Sequence, residues 1–207
     1  LQVDSLRLSG GFNNGDYNVE KFVLNSPYFN AKADGTGNLE KIGNADLQIE
    51  LDELTYLKTL IKKDVNGIGQ ISGQVSGPYD SLGTNLLVDL RDVRFGDYSL
   101  AFLNNETNCV LTGGKFEGIS KLFAGTGEFA NIKLDTLEVD VQLENNNFNY
   151  SLDLAANDSV NFFLAAKTSL DSTIKTEIRN VLLELGDQMW VSNNKHAVIE
   201  YCRHRLC

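Results

Sequence analysis

The chain has 207 residues, 42% apolar and 22% charged, with a net charge of −10 and only 18 Lys and Arg. That length can bury a core as one domain or form two units of an array, and the composition is that of a folded, not a disordered, chain. Scattered cations with an acidic balance exclude a phosphate-neutralising stripe, so nucleic acid is not an expected partner.

Period-two alternation dominates from the start, which predicts strands with one buried face. Leu6, Leu8 and Phe12 lead into Asn13-Asn14-Gly15-Asp16, a tight-turn signal, and Tyr17, Val19 and Phe22 to Leu24 return as the second arm of a hairpin. The segment GTGNLEKIGNADLQIEL, Gly35 to Leu51, then recurs without a gap as GTGEFANIKLDTLEVDV, Gly125 to Val141. Internal repetition of this kind points to a stacked β architecture.

Asp52 to Lys63 breaks the alternation. Leu54, Leu57, Leu60 and Ile61 fall on one helical face, Asp52 is placed to cap the N-terminus, and Lys58, Lys62 and Lys63 lie toward the C-terminus. A short amphipathic helix covering a sheet end is expected, with a second, one-turn echo at Ile119, Leu122 and Phe123. Gly67 to Gly77 follows as a strand with a thin face of Gly67, Gly69, Ile71, Gly73, Val75 and Gly77, which fits either a twisted strand or close approach of another group.

Gly77-Pro78 is a turn signal and divides the chain into a first β unit, residues 1–77, and a second, residues 78–201, before a tail at 202–207. In the second unit Leu86, Val88 and Leu90 alternate before a turn at Gly96-Asp97. Leu137, Val139, Val141 and Leu143 alternate before Asn145-Asn146-Asn147. Phe148, Tyr150, Leu152 and Leu154 follow, then a turn at Asn157-Asp158-Ser159, then Val160, Phe162 and Leu164. These predict an antiparallel meander. Thr173 to Leu185 fits both periods, and its β-branched content favours a strand.

Catalytic motifs are missing. There is no G-x-S-x-G elbow, Gly113-Gly114-Lys115 lacks the remaining residues of a phosphate loop, and Gly67-x-Gly69 lacks the third spaced glycine of a dinucleotide site. Cys109, Cys202 and Cys207 form no disulfide framework, and Cys202, His204 and Cys207 lack the second pair that zinc requires. Acids that alternate with apolar residues read as a solvated sheet face. The expectation is a chain with no catalytic residues, cofactor or metal. The start at Leu1, without Met, and the lack of an apolar leader read as a piece of a longer protein.

Several passages together resemble the AsmA-like envelope proteins. They are the opening Ala33-Asp-Gly-Thr-Gly37, the strand Leu47 to Leu51 running into Leu54, Leu57 and Leu60, the Gly-rich strand ending at Gly77-Pro78, and Trp190 after the apolar Leu182 to Leu185. The similarity spans Asp4 to Tyr201 and leaves out Arg203 to Cys207. It implies a mainly β fold, a long antiparallel sheet curled into a groove of the β-taco kind, with one or two short helices. It also implies a periplasmic place in the Gram-negative envelope, an inner-membrane anchor outside this chain, phospholipid acyl chains as cargo, and an Omp85-type outer-membrane barrel as partner.

In such a groove the candidate liners are Leu47, Ile49, Leu51, Leu86, Val88, Leu90, Leu137, Val139, Val141, Phe148, Tyr150, Leu152, Leu154, Phe162 and Leu164. The same alternation also fits a dry core closed by the protein itself. Two other architectures stay open: an adhesive β-solenoid of a secreted filament, and a carbohydrate-active β-sandwich.

Overall fold

A computed structural model describes all residues except 1, 39–40, 59–61, 79, 130–131, 146, 171–172, 193–196, 203–204 and 207. The chain forms β1 (Ser5–Asn13), β2 (Asp16–Asn25), β3 (Phe29–Asn38), β4 (Lys41–Leu51), a 3-10 turn (Thr55–Leu57), β5 (Val65–Ser76), β6 (Ser81–Phe95), β7 (Tyr98–Thr112) and β8 (Lys115–Phe129). It continues through β9 (Ile132–Asn145), β10 (Asn147–Ala156), β11 (Val160–Leu170), β12 (Thr173–Leu185), β13 (Gln188–Val191), β14 (Ala197–Cys202) and β15 (Arg205–Leu206). All strands belong to one open, curled, antiparallel sheet laid down in chain order, with β13 and β14 both pairing β12. The antiparallel ladder is not that of a coiled solenoid, and its single layer is not a sandwich.

Turn chemistry explains the meander. Asn14 (φ 51°) and Gly15 (φ 88°) join β1 to β2, and Asn157 (φ 52°) and Asp158 (φ 58°) join β10 to β11. Two successive positive φ values give the turn whose twist matches that of the strands it connects. Gly96 and the Gly113-Gly114 pair turn their hairpins in the same left-handed region, so the latter glycines serve the backbone and not a phosphate.

Both copies of the repeat fall on a hairpin, β3–β4 and β8–β9. Gly35 stands opposite Ala45, whereas Gly125 stands opposite Thr136, one position beyond the equivalent of Ala45. Thr126, at φ 48°, lies beside this offset. It also belongs to a transverse crease: Asp92 (φ 51°), Ala101, Thr126 and Asp135 drop out of the β6–β9 ladders, and the register shifts beside Gly67 and between Ala155 and Ala156. Bulges of this kind bend and twist a sheet locally.

The glycines of β5 answer the choice left by the sequence. A Cβ at Gly69 would lie 2.1 Å from the Asp89 carbonyl oxygen and 2.9 Å from Leu90 Cα, so the bare backbone lets β5 and β6 approach closely.

One helical expectation fails, and the other is met among the described residues only by a 3-10 turn. The echo at Ile119, Leu122 and Phe123 lies inside β8, paired on both sides with β7 and β9. Positions four apart share a face in a strand as well as in a helix, and here Ile119 and Phe123 stand opposite to Leu122. In Asp52 to Lys63 the described helical element is one 3-10 turn, the Lys62 N–H donates to the Lys58 carbonyl beyond it, and Leu60 and Ile61 lie outside the described residues. Asp52 caps nothing: its carboxylate accepts from Asn30 Nδ2 at 3.2 Å and its N–H donates to the Tyr28 carbonyl. Leu54 instead precedes the turn, and its N–H donates to the Gly67 carbonyl.

That turn packs into a buried hydrophobic cluster. Leu54 (5% exposed), Leu51 and Val65 form a buried cluster flanked by Phe29, Ile49, Leu57, Ile71 and Leu90. Tyr56 sits 5.8 Å from both Tyr28 and Phe29, and burial pushes its phenol pKa up. The turn thus covers one corner of the sheet. Elsewhere strands contact chiefly their ladder neighbours.

Candidate functional site: an uncovered apolar face

Antiparallel register carries the alternation of one strand across all of them, because directly opposed residues point to the same face. One row runs Phe29, Leu51, Gly69, Leu90, Leu103, Ala124, Leu137, Leu154, Phe162, Leu183, Trp190. The next runs Leu6, Leu24, Ala31, Ile49, Ile71, Val88, Asn105, Leu122, Val139, Leu152, Leu164, Val181.

A third row joins Leu8, Phe22, Ala33, Leu47, Gly73, Leu86, Thr107, Ser120, Val141, Tyr150, Ala166 and Ile178. A fourth joins Val19, Gly35, Ala45, Val75, Thr84, Cys109, Gly118, Leu143, Phe148, Thr168 and Thr176.

All fifteen residues named from the sequence stand in these four rows and therefore on one face. The rows hold no Asp, Glu, Lys or Arg. The sheet also brings in Phe22, Leu24, Ile71, Leu103, Leu122 and Leu183, which were not selected. Leu122 and Leu103 carried a usable signal in their even spacing to Ala124 and to Asn105, but polar neighbours and a helix-like spacing obscured it.

Along these ladders the paired charges fall on the reverse face. There Arg7, Lys32, Glu106, Lys121 and Asp140 occupy one intervening row, and Glu50, Asp89, Glu138 and Asp153 another. An open depression of about 620 Å³ lies on this side, lined by Gln70, Leu87, Asp89, Asn104, Lys121, Phe123 and Glu138 among others, and a second of about 500 Å³ adjoins it. Their walls of amides and charges are unsuited to hydrocarbon.

The apolar face is only half covered. Among the described residues no large side chain is fully buried, Leu47 remains 37% exposed, and at the β1 edge Leu8 is 69% exposed. The accessible surface is 13747 Å², against about 9,600 Å² for a compact monomer of this mass. A sheet that buries one face normally does so against a second layer. Among the described residues the 3-10 turn is the one element outside the sheet that packs on the face.

Four rows about 7 Å apart give a strip roughly 20–25 Å wide, and since each row crosses eleven or twelve strands about 4.8 Å apart the strip is roughly 50 Å long. Among the described residues no group of three His, Cys, Asp or Glu could hold a metal ion, and no helix is long and apolar enough to cross a membrane. His196, His204 and Cys207 lie outside the described residues. Comparison of the chain with protein-family models, with curated proteins and with solved structures found no match.

Proposed function

We propose that this chain is a non-enzymatic β-groove segment of an AsmA-like envelope protein, similar to the translocation and assembly module subunit TamB, and that its apolar face carries phospholipid acyl chains across the periplasm. The observation that supports this most directly is the strip of four charge-free rows that runs through the sheet and has no second layer over it. Shielding ten methylenes of an acyl chain there contributes about 8 kcal/mol at ~0.8 kcal/mol per CH₂. That holds lipid without an enclosed pocket, and the strip has room for several chains side by side.

In this reading the curl of the sheet brings the apolar rows inside a trough, with the charged reverse face in water. Support of outer-membrane protein assembly with an Omp85-type barrel belongs to the same proposal and to the full-length protein, whose inner-membrane anchor lies elsewhere.

Native mass spectrometry after gentle purification tests the reading. Phospholipid retained on the folded chain is the expected result. A lipid-free chain that takes up no lipid from vesicles and binds glycans would overturn it in favour of a carbohydrate-binding role.

A further inference from the structure

The charge-free rows carry hydrogen-bonded polar pairs at Thr84 with Cys109 and at Thr168 with Thr176, and, between the two inner rows, a three-membered polar ring. Asn105, Thr107 and Ser120 stand on the apolar face of β7 and β8, flanked along their rows by Leu86, Val88, Leu122 and Val141. Their protons can be assigned one by one. Asn105 Nδ2 lies 3.0 Å from the Lys121 main-chain carbonyl oxygen, which can only accept, so the amide nitrogen faces β8 and Oδ1 faces its own strand.

Thr107 Oγ1, 2.9 Å from that Oδ1, must donate to it. Ser120 Oγ, 2.8 Å from Thr107 Oγ1, then donates to Thr107, and accepts from Asn105 Nδ2 at 3.0 Å. The three side chains close a ring in which every proton is committed. Only lone pairs, on Asn105 Oδ1, Thr107 Oγ1 and Ser120 Oγ, are left for a guest.

Replacing a whole set of mutually bonded polar groups by apolar ones of similar shape is close to neutral or stabilising. A cover made of hydrocarbon alone would thus be served at least as well by Leu, Val and Ala at these positions. A surface of acceptors set among aliphatic side chains matches a guest that brings N–H or O–H donors together with acyl chains. With no Lys or Arg in the four rows and a net charge of −10, a positively charged donor fits and a headgroup of net negative charge is disfavoured, while the phosphate, common to the zwitterionic lipids, does not discriminate among them.

We propose, resting on the lipid reading above, that the Asn105-Thr107-Ser120 ring is a headgroup subsite that selects phospholipids with a donor-bearing ammonium, the ethanolamine class, over the trimethylated choline class.

The test uses the whole chain and vesicles of an equimolar mixture of dioleoyl phosphatidylethanolamine, its N-methyl and N,N-dimethyl derivatives, and dioleoyl phosphatidylcholine. Acyl chains stay constant while donor protons are removed stepwise. Lipid retained by the protein is read by mass spectrometry. Retention is expected to fall along the series by about tenfold in all, the scale of one charge-assisted hydrogen bond. The triple variant Asn105→Leu, Thr107→Val, Ser120→Ala is expected to retain the choline lipid as before and to lose the gradient, and Thr107→Val alone, which opens the ring, to weaken it.

Equal retention of all four lipids by the unmodified chain overturns the subsite while leaving the acyl-chain reading intact, as does a gradient that survives in both variants. Retention of none of them overturns both.

Discussion

Lys133 holds Asp158 across the sheet: its Nζ lies 3.2 Å from the Asp158 carboxylate and 3.1 Å from that of Asp135, so that one ammonium ties the β10–β11 turn to β9. The backbone completes the clasp. Lys133 N–H donates to Asn157 Oδ1, Asn157 N–H to the Lys133 carbonyl, and Asp158 N–H to Asp135 Oδ2.

This clasp gives the fold a pH signature. The Asp158 N–H, then Lys133, hold the Asp135 carboxyl below its ordinary value of 3.8, and Asp135 and Asp158 hold the Lys133 ammonium above its ordinary 10.5. A depressed carboxyl contributes stability above its unfolded pKa and loses it as pH falls through the folded one. A raised ammonium contributes below its unfolded pKa and loses it as pH rises through the folded one. Thermal midpoints should therefore fall below about pH 4 and again above about pH 10. Asp135→Asn should lower the midpoint at pH 7 and shrink the acid-limb drop, and an unchanged acid limb would show that the clasp contributes nothing.

Adding a methyl at Gly69 should loosen β5 from β6. The Cβ of Gly69→Ala meets the Leu90 side chain, which can rotate away, but also the Asp89 carbonyl oxygen and Leu90 Cα, which cannot, so the ladder has to shift, at an expected cost of about 1–3 kcal/mol in urea denaturation. Gly113→Ala, where the added carbon meets nothing but φ is 57°, should cost about 1–2 kcal/mol for a different reason, backbone strain. The two effects separate in hydrogen exchange, which should rise along β5–β6 only in the first variant.

Leu54→Ala removes the centre of the buried cluster at the 3-10 turn. A loss of about 2–5 kcal/mol is expected from transfer and cavity together. Tyr56 fluorescence and exchange in residues 52–64 should report it first, since the rest of the sheet does not rest on this side chain.

A charge on the apolar strip should expel lipid where a charge on the reverse face does not. Val139→Lys puts an ammonium between Leu122 and Leu152, whereas Glu138→Lys changes a position between Phe123 and Asp153 on the other side. Co-purified lipid is expected to drop by roughly tenfold or more in the first variant, because an unpaired charge among acyl chains is strongly disfavoured. It should hold steady in the second. Equal losses would mean that net charge, not the strip, governs binding.

Much of this architecture is legible in the residues because period two survives pairing. Once Leu137, Val139 and Val141 share parity, opposed register passes that parity to Leu154, Leu152 and Tyr150 and on to Phe162 and Leu164. The turns are equally plain in Asn14-Gly15 and Asn157-Asp158. The crease is not, since Asp92 and Thr126 take positive φ without the glycine that would mark it. The 3-10 turn at the start of Asp52 to Lys63 is hidden for a related reason: the Leu54-Leu57 spacing serves a tight turn docked on Leu51 as well as it serves an α-helix, and propensity alone does not choose between them. In β7 and β8 the polar ring hides the alternation that Leu103, Leu122 and Ala124 carry.

The chain-order arrangement of the strands bears on how the molecule comes apart. Each ladder is closed by segments adjacent in the sequence, so every hairpin can zip as soon as its own turn forms, and a break in one ladder need not travel to a distant one. Melting is then a progressive peeling from β1 and β14 inward, with β6 to β9 the last to exchange their amides. Calorimetric and van't Hoff enthalpies should accordingly disagree, as they do for linear arrays and not for a single cooperative globule.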